Sequence, residues 1–230
     1  MAGLGLGVGV GARSPVTYRL PMFPLSTVLF PEAGLPLHVF EERYRVLVAH
    51  CLDGDGTFGV VLISRGSEVG GGDERVDVGT VARIANVAEL EDGRMLVVAT
   101  GVRRVRVEEW LPDAPYPCAR VEDLPDPVGT CSGGQLAVAE GSLRRLRSLL
   151  SELGDVPALP HSLRISGAPE QIGWQLCDMA PLASIDLQRL LVADGLEARM
   201  VLLADLCDAM AGDVVGLLSD RDGGGAGERG

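Results

Sequence analysis

The chain has 230 residues, 47% of them hydrophobic, a net charge of −12, and arginine alone behind its 20 basic residues, with no lysine anywhere. Without lysine there is no P-loop to reach β- and γ-phosphates, no serine–lysine dyad and no Schiff-base nucleophile, and arginine stays protonated and cannot take over as a base. The acidic balance opposes binding to nucleic acid and to anionic membranes, while five cysteines without CxxC spacing argue against a zinc site or a disulfide framework and for buried thiols in a reducing cytoplasm.

Residues 1–17 open on glycine alternating with leucine and valine. They lack the basic region and continuous apolar stretch of a signal peptide, so a flexible tail is expected. No apolar run reaches eighteen residues, the length at which a membrane-spanning helix is indicated. Residues 18–126 read as β-rich. In their first part Pro21, Pro24, Pro31 and Pro36 remove backbone donors, so the segment is not expected to form an uninterrupted central strand. The fixed φ of these prolines lowers the entropy of an extended path, which Phe23, Leu25, Val28, Leu29 and Phe30 pin to the sheet. Glu41–Leu52 reads as a helix, with Tyr44, Leu47, Val48 and Cys51 on one face.

Phe58–Ser64 has the β-branched character of a buried strand. Gly66–Asp73 is a glycine-rich loop, expected to be mobile. Val76–Leu90 reads as a strand that bulges or bends at Gly79. Asp92-Gly93 marks a hairpin turn. Met95–Thr100 and Val102–Trp110 read as two further strands. In the second, Val105 and Val107 alternate with Arg104 and Arg106, and the cluster Arg103, Arg104, Arg106 reads as an exposed face beside Glu108 and Glu109. Tyr116–Leu124 is one more strand, and residues 127–134 form a Pro/Gly/Ser-rich linker.

Residues 135–212 read as helical. Gln135–Leu153 lines up Leu136, Leu143, Leu146, Leu150 and Leu153, and Pro169 suits the first position of a second helix. A short helix spans Ile185–Val192. Asp194 and Glu197 resemble a capping box for a last helix, which Gly212 is expected to stop. Residues 213–230 read as a disordered tail by composition.

No constellation for catalysis stands out. His50-Cys51 pairs a base with a thiol, but adjacent helical residues face apart, so Cys51 reads as a core thiol. Glu41 and Glu42 are adjacent for the same reason, and Asp178 and Asp186 have no partner pattern. His38, His161 and His50 show neither HxxxH nor HxH, and GxSxG is absent. No cofactor, metal or catalytic residue is expected.

Leu20–Tyr44 (LPMFPLSTVLFPEAGLPLHVFEERY) strongly resembles the opening of the amino-terminal substrate-binding domain of ATP-dependent Lon proteases. Asp77–Ile84 (DVGTVARI), Asp92-Gly93, Gly101–Val107 (GVRRVRV), Tyr116–Leu124 (YPCARVEDL) and Leu187–Met210 continue it in order. The resemblance implies an α+β fold: a PUA-like β pseudo-barrel subdomain followed by an α-helical bundle subdomain. After Gly212 too few residues follow for an ATPase or protease module, so a free-standing, non-catalytic domain is expected. Lon enzymes use this region to engage unfolded or degron-bearing substrates. Binding to such polypeptides is therefore expected, with Leu35, Leu37 and Phe40 as the apolar site and Glu41, Glu42 and Arg43 at its rim. An adaptor that contacts a protease, a chaperone or its own copies, as a weak homo-oligomer, is the alternative. RNA binding by analogy with other PUA-like folds is the weaker reading for so acidic a chain.

Overall fold

The computed structural model describes residues 16–65, 74–127 and 131–224. The loop at 66–73, part of the linker at 127–134 and the outer parts of both expected tails lie outside the described residues. The first half consists of β1 (Thr17–Leu25), β2 (Gly34–Val39), α1 (Glu42–Asp53), β3 (Thr57–Arg65), β4 (Glu74–Glu89), β5 (Met95–Leu111) and β6 (Cys118–Asp123). The second half is helical: α2 (Gly133–Leu153), α3 (Pro169–Asp178), α4 (Ser184–Val192) and α5 (Gly195–Gly224).

The strand order is β2-β5-β4-β3-β1-β6, and β5 also pairs with β6. That extra pairing closes β1, β3, β4, β5 and β6 into a ring and, among the described residues, leaves β2 attached to β5 alone. Leu20, Met22, Val61, Val81, Val105, Val107, Ala119 and Val121 form one small buried cluster to which all five ring strands contribute. A chain of alternating strands buries one side chain set inside the ring and turns the other outward.

The prolines of β1 are accommodated because the strand changes neighbours. Thr17–Pro21 pairs antiparallel with β6, and Met22–Leu25 pairs parallel with β3. Few of its positions need partners on both sides, which is the condition under which proline is tolerated in a sheet. β5 is a single strand of 17 residues, where the sequence suggested two. Gly101 is the reason. A Cβ there would lie 2.1 Å from the Phe30 carbonyl oxygen. With only hydrogen at that position, the Gly101 N–H donates to Ala33 O and Gly101 O accepts from the Glu32 N–H, both at 2.9 Å. The loop between β1 and β2 thus crosses β5 without breaking it. The hairpin turn at Asp92-Gly93 forms as read, with Gly93 at φ 80.

The α2 helix opens with a capping box: Gln135 N–H donates to Ser132 Oγ, and Gln135 Oε1 accepts from the Ser132 N–H. Glu197 instead accepts from Gln135 Nε2 at 2.9 Å, tying α5 to α2. The helices pack on the outer face of the β half in one continuous core, in which the Phe30 and Trp174 rings lie 5.8 Å apart.

One expectation for β5 is overturned. Arg104 is 4% exposed and does not belong to a wet strand face. Its Nη1 donates to Leu191 O at 2.7 Å and Ala193 O at 3.2 Å, at the end of α4, and its Nη2 donates to Asp126. Arg199 of α5, fully buried, grips the same carboxylate through two bonds of 3.0 and 2.8 Å and stacks 3.5 Å over the Trp174 ring. Sheet alternation predicts which side of a strand a residue takes, but at Arg104 that side is covered by α4 and α5, so the arginine meets its counter-charge inside the protein. Burial lowers the pKa of the Arg104 guanidinium, and the Asp126 charge opposes that effect.

The second correction concerns Gly212, which does not stop α5; the helix continues to Gly224. Ala211 and Val214 are buried on either side of it, and their packing outweighs the roughly 1 kcal/mol helical penalty of glycine. A Cβ at Gly212 would meet nothing within 4 Å. Gly212→Ala is therefore expected to raise stability by up to about 1 kcal/mol in urea unfolding. Asp126→Ala strands two buried guanidiniums and is expected to lower stability by about 3–5 kcal/mol. A loss below about 1 kcal/mol in the same measurement would mean that the α4 carbonyls alone hold both arginines.

Candidate functional site

The turn from β2 into α1 builds the site. Glu41 occupies the N-cap position of α1, and its carbonyl accepts from the Tyr44 and Arg45 N–H groups at 3.1 and 3.0 Å. This reversal carries Tyr44 back over β1, where its ring stacks on Phe23 with centroids 4.1 Å apart and planes 12° from parallel. Phe58 of β3 tilts against the same Phe23 ring at 6.0 Å. The edge of β2 that does not pair with β5 runs beside these rings. Between them lies a cleft of about 150 Å³, lined by Phe23, Leu25, Pro36, Leu37, Val39 and Tyr44, with His38, Phe40 and Glu41 at its mouth.

Of the residues singled out from sequence, Leu37, Phe40 and Glu41 line this cleft. Phe40 is 55% exposed, so its ring is available at the cleft's mouth. Arg43 sits behind the rim, bonded through Nε to Glu41 Oε2 at 3.0 Å and stacked 4.5 Å over the Tyr44 ring. Glu42 lies outside the cleft and bonds Arg45 at 2.9 Å. Leu35 is buried in the core and does not line the cleft. Phe23, Leu25 and Tyr44, read from sequence as packing residues, supply the cleft's floor. Their double role follows from the chain reversal at Glu41, which no periodicity announces.

Elsewhere several titratable groups are held in structural contacts. Cys51 donates through Sγ to Thr57 O at 3.2 Å, and burial pushes its thiol up to about 12. Burial does the same to Cys177 and Cys207, each to about 12. His50 Nδ1 contacts the Tyr116 hydroxyl across the helix–strand interface, not the neighbouring thiol. Asp186 pairs with Arg189 at 2.8 Å. Among the described residues no three metal-capable side chains gather, and no helix is long and apolar enough to cross a membrane. Arg103, from the basic cluster, bonds Asp123 at 2.8 Å, which leaves Arg106 as the exposed member beside a buried Arg104.

The family model described as the ATP-dependent protease La (LON) substrate-binding domain matches residues 19–208. Lon protease 2 of Myxococcus xanthus is 27% identical over 201 residues, covering 86% of this chain and 24% of that protein. A LON peptidase N-terminal domain and RING finger protein of Schizosaccharomyces pombe is 23% identical over 214 residues, covering 80% of this chain and 44% of that one. The chain therefore spans less than half the length of these relatives. The crystal structure of a Lon N-terminal domain protein from Xanthomonas campestris superposes with a TM-score of 0.60 at 28% identity, covering 81% of this chain and 96% of that one. These matches agree with the α+β architecture of ring and helices described above.

The thiol environments give a direct check. The thiolate is the reactive species, so a raised pKa slows labelling at neutral pH. Cys131 is the one cysteine that is not buried. Partial burial and the nearby Glu197 charge raise the Cys131 thiol as well, so accessibility sets the order: a disulfide-exchange reagent is expected to label Cys131 first in the folded protein and the remaining thiols only on unfolding, as counted by absorbance. Rapid native-state labelling of Cys51 would contradict its place in the core.

Proposed function

Because the chain belongs to the ATP-dependent protease La (LON) substrate-binding domain family, we propose that it holds apolar segments of other polypeptides and performs no covalent chemistry itself. The cleft beside β2 supports this reading: aromatic rings form its floor, and Phe40 stands exposed at its mouth. Unfolded or degron-bearing chains offer the apolar segments that such a surface removes from water, at roughly 25 cal/mol per Å² buried. The proposed setting is the cytoplasm, where buried free thiols persist.

A second reading, an adaptor that joins a protease or chaperone, draws on a separate observation. Val138 of α2 and Val201 of α5 are exposed over an apolar groove of about 380 Å³, also lined by Met200 and Ala204. Nucleic-acid binding is disfavoured, because the net charge is −12, Arg104 is buried and Arg103 is paired with Asp123.

Fluorescence anisotropy with a labelled apolar peptide tests the proposal. Phe40 is exposed, so Phe40→Asp is expected to leave the fold intact by circular dichroism while weakening peptide binding about tenfold or more, near 1.4 kcal/mol. Unchanged affinity would remove the cleft from the function. Turnover of ATP or peptide by the pure protein would remove the non-catalytic reading.

A further inference from the structure

β2 ends the strand order, and its pairing with β5 is its one ladder. Among the described residues, the backbone of 35–39 makes no other hydrogen bond. An open edge of this kind is a template for an added strand. What distinguishes this edge is that apolar surface lies on both faces of the sheet beside it. On the inner face are Phe23, Leu25, Leu37 and Tyr44 of the cleft. On the outer face Pro36 and His38, which also border the cleft where it opens at the edge, sit beside Val98 and Leu96 in the β2–β5 register. Leu96 and Val98 are 45% and 46% exposed, where an antiparallel sheet normally turns polar residues to water. Phe40 continues the outer row.

Side chains of a strand alternate between the two faces. A strand laid on β2 would send one set of its side chains over the cleft and the other set beside Pro36 and Phe40. Leu96 and Val98 lie one strand farther on, about 10 Å from the added backbone, and extend the apolar surface that begins at Pro36 and Phe40. Both sets then meet apolar surface. A strand amphipathic by alternation, as found on the outside of most folded proteins, would satisfy one face only. Resting on the polypeptide-holding function proposed above, we infer that the occupant of this edge is a short uninterrupted apolar run, bound as an extended strand. Such runs belong to the strands that a folded protein buries on both sides, so this edge selects segments exposed by unfolding. The net charge of −12 and the absence of lysine add a preference for basic over acidic flanks.

A second copy of the chain is a poorer occupant. Proline is tolerated in a paired strand where its missing N–H faces away from the partner. The open edge therefore carries a carbonyl without a donor at Pro36, and two such edges brought together would both lack it.

The test uses the full chain and three synthetic peptides of one length, with the variable part matching the six residues of β2. One is a continuous Leu/Val/Phe run flanked by arginine. The second has the same apolar content alternating with serine, again with arginine flanks. The third is the continuous run flanked by glutamate. The first is expected to bind about tenfold tighter than either other peptide, and the paired substitution Leu96→Asp with Val98→Asp is expected to bring its affinity to that of the alternating peptide. Both residues are exposed, so circular dichroism should show an unchanged fold. If the continuous and alternating peptides bind equally well, the two-faced selection is wrong while the holding function stands. If the glutamate-flanked peptide matches the arginine-flanked one, the charge preference is wrong. If none binds, the holding function itself fails. Sedimentation velocity is run in parallel, and a dimer dispersed by Pro36→Asp would assign the edge to a second copy instead.

Discussion

Two guanidiniums converge on one carboxylate where the halves of this protein meet. Arg104 comes from β5, Arg199 from α5 and Asp126 from the connection between the halves, and Trp174 of α3 closes the cluster from one side. A charge removed from water is costly unless it is paired and its remaining hydrogen-bonding capacity is met. Here the surplus donors find the carbonyls of Leu190, Leu191 and Ala193 at the carboxyl-terminal end of α4, where the helix dipole is also negative. Each group has its partner only when the ring and the bundle are docked in one arrangement, so the cluster specifies their relative placement more than it adds raw stability.

That docking determines which surfaces remain available. The bundle and the β1–β2 loop cover the ring where Phe30 meets Trp174 and where Thr80 Oγ1 donates to Leu29 O at 2.6 Å. It leaves the β2 end open. Ring closure by β5 and β6 pairs the strands that would otherwise be edges, and the unpaired edge is concentrated in one six-residue strand with a proline near its middle. Natural sheets blunt their edges with prolines, charges or short strands to avoid unplanned pairing. β2 is short and carries a proline, yet its surroundings are apolar rather than charged, the combination suited to reversible contact with other chains. Four of the five thiols on this scaffold are buried, and the Glu41 and Asp126 carboxylates are held in ion pairs.

Much of this was legible in the residues. The order of strands and helices, the hairpin at Asp92-Gly93 and the helix face of Tyr44, Leu47, Val48 and Cys51 all follow from local patterns. Leu37, Phe40 and Glu41 were placed near one another because they are close in sequence at a strand-to-helix turn. The floor of the cleft was not visible, because Phe23, Leu25 and Tyr44 carry the same apolar signature whether they are sealed in a core or line a groove. Arg104 was misread for a related reason. Alternation gives the side of the strand, and it does not tell whether that side faces water.

The sequence by itself determined the class of elements, their order and the exclusion of lysine-dependent chemistry, since these depend on periodicity, turn chemistry and side-chain inventory within short windows. Only the tertiary structure decided that β5 runs unbroken past Gly101, that α5 continues past Gly212, and that Arg104 and Arg199 share one buried carboxylate. Each of these outcomes turns on contacts between residues far apart in the chain. At Gly212 long-range packing outweighed a local helical preference of about 1 kcal/mol, and at Gly101 and Asp126 the deciding partners lie outside any short window of sequence.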